Sequence, residues 1–108
     1  MLHFIEDDAE AYRVVRHVVD ALPSGSYLAA SIATDDFDPE PLAQVQRQYR
    51  EHGEVLRFRS KPQATRFFDG LELEEPGVVQ IHKWRPDPGA DTVADTDVAM
   101  YGAVARKP

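Results

Sequence analysis

The sequence predicts an α/β fold, and three stretches predict it. Tyr12, Val15, Val19 and Leu22 recur at spacings of three and four, the period of a helix with one apolar face. Ser26 to Ala33, SYLAASIA, is a continuous apolar run between turn signals. That is the pattern of a strand buried on both faces, as in a parallel sheet with helices on each side. Arg66 to Trp84 then reads as a helix end, a bend and a strand.

In chain order, Met1 to Ile5 is a short apolar run broken by His3 and reads as the end of a buried strand. Asp7 with Glu10 is a capping-box arrangement opening a helix from about Ala9 to Ala21, which Pro23 and Gly25 stop. An opening strand, this helix and the strand Ser26–Ala33 make a βαβ unit. Asp38 can cap a second helix, with Pro39 at its first position, a stripe of Leu42, Val45 and Tyr49, and a stop at Gly53. Val55 to Arg59 is extended, with Leu56 and Phe58 on one face. Ser60 and Gln63 form another capping box, opening the helix that carries Ala64, Phe67 and Phe68.

Gly70 ends that helix, and Leu71 and Leu73 alternate with Glu72 and Glu74. Glu75-Pro76-Gly77-Val78 suits a type II turn, with Pro fixing φ and Gly supplying φ > 0. Val78 to Trp84 resumes as a strand, Pro86 to Asp97 is a mobile loop, and Ala99 to Arg106 is a last strand pairing antiparallel with the previous one. Phe67, Phe68, Leu73, Ile81, Leu28 and Ile32 are the expected core.

The 108 residues suit one domain, and a formal charge of -7 argues against nucleic acid or an anionic membrane as partner. No apolar run approaches a membrane span and no signal segment opens the chain, so a soluble, cytoplasmic protein is the default expectation. Without cysteine there is no disulfide framework, thiolate catalysis or iron–sulfur site.

The stretch FFDGLELEEPGVV, followed by Trp84-Arg85-Pro86, resembles the C-terminal end of an actinobacterial family of S-adenosylmethionine-dependent methyltransferases. Further matches run in order: Leu2-His3-Phe4, Pro23 with Gly25-Ser26-Tyr27-Leu28, and Tyr101-Gly102 to Lys107-Pro108. The resemblance covers this chain and only the later part of the family's longer chain. It implies a class I, Rossmann-like fold with strand order 3-2-1-4-5-7-6 and an antiparallel last strand. On that map this chain carries the equivalents of strands 4, 5, 6 and 7 with their flanking helices, as one domain lacking its N-terminal cofactor-binding half.

S-adenosylmethionine is the cofactor the resemblance implies, but its main site is not expected here. Every glycine is isolated, so there is no glycine-rich turn after strand 1, and the acidic residue after strand 2 is missing too. His3 and Phe4, at the end of strand 4, are the implied cofactor-side residues, and His3 is the one candidate general base. The competing reading makes His3 a structural strand-end histidine. Ser31, Thr34 and Asp35 follow strand 5 and are candidates to line the pocket of a small-molecule acceptor; the plainer alternative is a solvated loop. Asp35, Asp36 and Asp38 lack the pattern of a calcium loop, and the four histidines lack ligand spacing, so no metal is expected.

The expected function is thus the C-terminal portion of a methyltransferase, inactive alone. The alternative is a stand-alone α/β binding or oligomerisation module derived from the same fold. An uncovered sheet edge makes homo-oligomerisation an expected partner mode.

Overall fold

The computed structural model describes residues 2–86 and 93–108. Two long helices, α1 (Asp8–Asp20) and α2 (Pro39–Glu51), are joined by strand β1 (Tyr27–Ala33). A short helix α3 (Lys61–Thr65) runs into a 3-10 turn at Arg66–Phe68. Three strands follow: β2 (Glu72–Leu73), β3 (Val79–Gln80) and β4 (Met100–Arg106).

The helix starts follow local chemistry. The Asp7 carboxylate accepts the Ala9 N–H at 2.9 Å, covering one of the donors a helix start leaves open. Ser60 and Gln63 close a complete capping box at α3. Asp38 holds the cap position of α2 without a side-chain bond, and Pro39 begins the helix.

β4 is the centre of the sheet. β1 lies antiparallel along one edge, from Tyr27 opposite Arg106 to Ala33 opposite Met100. β2 and β3 lie in line on the other edge, both antiparallel to β4. This is the expected neighbourhood: the last strand sits between the strand-5 and strand-6 equivalents and is antiparallel to both. The bend between β2 and β3 lies one residue earlier than expected. Gly77 donates to the Glu74 carbonyl at 2.8 Å, across a cis Glu75–Pro76 bond, and Gly77 takes φ +83°.

One sheet face carries the main core. Leu28, Ala30 and Ile32 stand opposite Ala105, Ala103 and Tyr101, and against them pack Ala11, Tyr12 and Val15 of α1 with Ala64, Phe67 and Phe68. On the second face α2 covers one end only, where Leu42, Val45 and Tyr49 meet Ala33, Leu56, Phe58 and Met100.

Four expectations are corrected. Leu2–Phe4 is a 3-10 turn rather than a strand end: no strand pairs with it among the described residues, and the Ile5 N–H turns back to the Leu2 carbonyl at 3.1 Å. β1 is not buried on both faces; Tyr27, Ala29 and Ser31 are exposed, the small side chains of Ala29 and Ser31 having hidden the alternation. The strand expected over Val78–Trp84 stops at Gln80, beyond which a 3-10 turn spans Ile81–Lys83. Past the Gln80–Tyr101 pair, the Gln80 side-chain amide binds the Asp95 and Val98 carbonyls instead, at 2.9 and 3.0 Å. Leu73 and Ile81 are 41% and 47% exposed; Leu71 and Val78 meet the core in their place. Of the Pro86–Asp97 loop, residues 87–92 lie outside the described residues, and Asp95–Asp97 forms one 3-10 turn. Among the described residues no helix is long and apolar enough to cross a membrane.

Phe68 is 3% exposed, so Phe68→Ala should cost about 3–5 kcal/mol, whereas Ile81→Ala should stay within about 1 kcal/mol. Urea denaturation of the two variants checks this; equal costs would place the core elsewhere.

Candidate functional site

The site region forms at the Ala33 end of β1, where the Leu2–Phe4 turn, the start of α1, the loop after β1 and the extended segment Val55–Ser60 meet. α1 runs back from there. Asp8 at its start is tied to Arg59, whose own N–H bonds the Ala33 carbonyl at 2.9 Å. At its far end the Val19 and Leu22 carbonyls accept the Lys107 ammonium, and the Lys107 N–H bonds Ser26 at the other end of the strand.

Arg59 is the buried hinge of this region, with a side chain 0% exposed. Its guanidinium donates to Asp8 Oδ1 at 3.0 Å, to the Leu2 carbonyl at 2.9 Å and to the Ile5 carbonyl at 2.7 Å, and it lies 5.4 Å from the centre of the Phe67 ring. Arg57 donates to both Asp8 oxygens, at 3.3 and 3.0 Å, while its backbone N–H takes the His3 carbonyl at 2.7 Å. Hydrogen bonding by Arg57, and then by Arg59, holds the Asp8 carboxyl below the usual carboxylate range against the opposing pull of burial.

The loop after β1 is held separately. The buried Thr34 hydroxyl accepts the Asp36 N–H at 3.1 Å. The Asp36 carboxylate accepts the Tyr101 hydroxyl at 2.8 Å and the Lys61 N–H at 3.1 Å. Burial and the bond to Asp36 push the Tyr101 hydroxyl well above its ordinary pKa, so it remains a donor at all physiological pH. Phe37 meets the Tyr101 ring at 5.6 Å, edge to face.

Against this frame the sequence-predicted residues divide. His3 and Phe4 stand side by side, ring centres 4.3 Å apart, with His3 half-buried and Phe4 exposed. Burial, with nearby positive charge that includes Arg59, holds the His3 imidazole below its ordinary pKa, so it is neutral at pH 7. Thr34 and the half-buried Asp35 belong to the same end of the strand. Ser31 does not join them: it is exposed on the sheet's second face, beside Ala29, Gly102, Ile81 and Trp84. Among the described residues no group of three or more His, Asp or Glu could hold a metal ion.

Sequence reasoning missed the Asp8–Arg57–Arg59 cluster and the Asp36–Tyr101 pair. Arg59 stands between the apolar Phe58 and Ser60, and alternation assigned it to solvent. Asp8 sits in the first turn of a helix, where a carboxylate is ordinary. No signal in the letters joins residues 8 and 59, or 36 and 101. The one available hint was Arg57 and Arg59 flanking Phe58 in an otherwise acidic chain.

The implied cofactor does not fit within these residues alone. The carbonyls of Leu2, His3 and Ile5 are already taken by Arg59 and Arg57, and no glycine turn supplies a bed for a nucleoside. What the geometry brings to this end of β1 is the His3 and Phe4 ring pair and a braced loop at Thr34–Asp36.

Removing Asp8 leaves the buried Arg59 charge without its counterion, so Asp8→Asn should destabilise by about 3–5 kcal/mol. A carboxyl held below its unfolded pKa contributes fully above the ordinary carboxylate range and loses that contribution as pH falls through its folded pKa. The wild-type urea midpoint should therefore drop below about pH 4, and the drop should be shallower in Asp8→Asn; identical acid limbs would deny Asp8 this role.

The family described as S-adenosyl methyltransferase matches residues 1–108. No curated protein matches the sequence. A DUF574 family protein from Streptomyces avermitilis has a solved structure that superposes with a TM-score of 0.95 at 50% identity, covering 100% of this chain and 42% of its own. A protein from Thermobifida fusca, solved as a candidate methyltransferase, gives 0.80 at 34% identity, covering 99% of this chain and 40% of its own. The chain thus spans about two fifths of the length of these solved relatives and is a partial methyltransferase domain, as the resemblance in residues 66–86 implied. Residues 1–108 belong to the S-adenosyl methyltransferase family.

Proposed function

We propose that this chain is the C-terminal portion of an S-adenosylmethionine-dependent methyltransferase acting on a small molecule. It supplies one wall of the cofactor and acceptor crevice and does not bind the cofactor by itself. The observation that carries the reading is the family match over the whole chain, set beside coverage of only about two fifths of the solved relatives. On this reading His3 and Phe4 face the cofactor side, and Thr34 and Asp35 face the acceptor. Ser31, on the open sheet face, serves a covering segment rather than the acceptor. Methyl transfer by direct displacement needs chiefly alignment, and the two braced loops supply rigid placement for it. Neutral His3 suits a proton acceptor should the methyl acceptor need one.

The free edge of β1 supports the reading of an incomplete sheet. The carbonyls of Ser26 and Ala33 point to opposite sides, toward Lys107 on β4's side and toward Arg59 on the other. By strand alternation Tyr27, Ala29 and Ser31 turn their N–H and C=O groups away from β4. Beside that edge Leu2, Val14 and Val18 line an apolar groove with Leu28 to Ser31. The strand carries no charge, proline or glycine, the usual means of blunting an edge. In isolation the chain pairs through this edge with a second copy.

Calorimetric titration of residues 1–108 with S-adenosylmethionine or its demethylated product should give dilution heats only; micromolar binding would mean a complete site exists here. Light scattering should show a dimer or larger species that Ala29→Lys, placing a charge beside the edge, returns to monomer. A monomeric wild type with a sharp, high-temperature unfolding transition would remove the argument for a missing half.

A further inference from the structure

We propose that the cleft between α1 and the Arg66–Leu71 segment is a binding site for a small phosphate monoester carrying an apolar or aromatic group. This site is separate from the crevice at the Ala33 end of β1 and does not depend on the methyltransferase reading.

The chain holds 12 Lys and Arg against 19 Asp and Glu, so an unopposed positive cluster is the exception on its surface. Arg57 and Arg59 are paired with Asp8, Lys83 with Asp95, Arg85 with Glu74 and Arg106 with Glu72. Arg47, Arg50, Lys61 and Lys107 have no ion pair among the described residues, but they do not share one cleft. Among the described residues no ion pair engages Arg13, Arg16 or Arg66, and all three line one cleft of about 260 Å³. Its only acid is Asp69, so three guanidiniums stand against one carboxylate.

Two of the three are already oriented. The Arg66 guanidinium lies over the Tyr12 ring at 4.6 Å, and Arg16 donates one N–H to the Asp69 carbonyl at 3.4 Å. Tyr12 is itself fixed, its hydroxyl donating to the Gln63 carbonyl at 3.0 Å and its ring packed on Phe67 at 4.5 Å. A guanidinium carries five N–H donors, so both keep most of their fork for a ligand. Three such forks match the three terminal oxygens of a phosphate monoester better than the two of a carboxylate. The cleft also has an apolar part, supplied by Val15, Val19 and Leu71, which calls for an organic substituent rather than a bare ion. Its position follows from the run of α1. Arg16 and Val19 lie toward the Leu22 end of the helix, and Leu71 adjoins the Glu72–Arg106 pair, at the opposite end of the sheet from Thr34.

The test uses the folded 108-residue chain at low ionic strength, with phenyl phosphate as probe and amide and guanidinium resonances as readout. Shifts should concentrate at residues 13, 16, 66 and 69–71, with phenyl phosphate binding more tightly than inorganic phosphate and benzyl alcohol leaving the spectrum unchanged. The exposed pair Arg13→Gln/Arg16→Gln should weaken binding at least about tenfold, and Arg13→Lys/Arg16→Lys, which keeps charge and loses the forks, should fall between. Absence of titration up to about 10 mM phenyl phosphate, a range that covers even millimolar affinity, would overturn the proposal. So would affinity unchanged in the double Gln variant, or benzoate binding as tightly as phenyl phosphate.

Discussion

The buried guanidinium of Arg59 is the constraint on which this structure turns. A fully buried charge is tolerated only when its donors are satisfied and a counterion is close. Here the donors are satisfied by parts of the chain that would otherwise have no reason to meet: the Leu2 and Ile5 carbonyls, the first turn of α1 through Asp8, and the ring of Phe67 from beyond α3. The backbone of the same residue fastens the end of β1 through Ala33. One residue therefore fixes where the entering chain, the first helix, the first strand and the third helix stand relative to each other. Its position also explains why Leu2–Phe4 is a turn. The Leu2 carbonyl accepts both the Arg59 guanidinium and the Ile5 N–H, so both its lone pairs are used within the turn.

What the sequence made legible was whatever depends on neighbours in the chain. The α1 stripe, the Ser60–Gln63 capping box, the Asp38–Pro39 start of α2 and the existence of β4 are local chemistry, and each is found where it was read. The antiparallel placement of β4 between its neighbours came from the family resemblance rather than from periodicity. The misses are long-range. Periodicity cannot tell whether a face that looks apolar meets anything, so Leu73 and Ile81 were given to a core that Leu71 and Val78 reach instead. It also cannot assign an arginine to the interior, because burial of Arg59 depends on residues more than fifty positions away.

The candidate site was legible as a location and not as an arrangement. His3 and Phe4 stand near the Thr34–Asp35 end of β1 because the Arg57 and Arg59 N–H groups bond the His3 and Ala33 carbonyls, a long-range link. Ser31 fell on the other face for the simplest reason: strand residues alternate, and three positions separate it from Thr34. The bracing of the loop by Asp36 on Tyr101 was invisible, since it joins residues separated by 65 positions.

The central place of β4 also sets the order of events in folding. β1, β2 and β3 each pair with β4, and no two of them pair with each other. The one pairing of consecutive strands, β3 with β4, joins two residue pairs across residues 81–99, so no tight hairpin can nucleate this sheet early. β1 must wait, unpaired, for a strand whose first residue lies 67 positions beyond its own last one. Closing so long a loop before any ladder bond forms is slow in chain entropy. The helices, α1 above all, can form first and hold an apolar surface ready. Pulsed hydrogen exchange would read this directly: β1 and β4 amides should gain protection together and late, and early protection of β1 alone would contradict it.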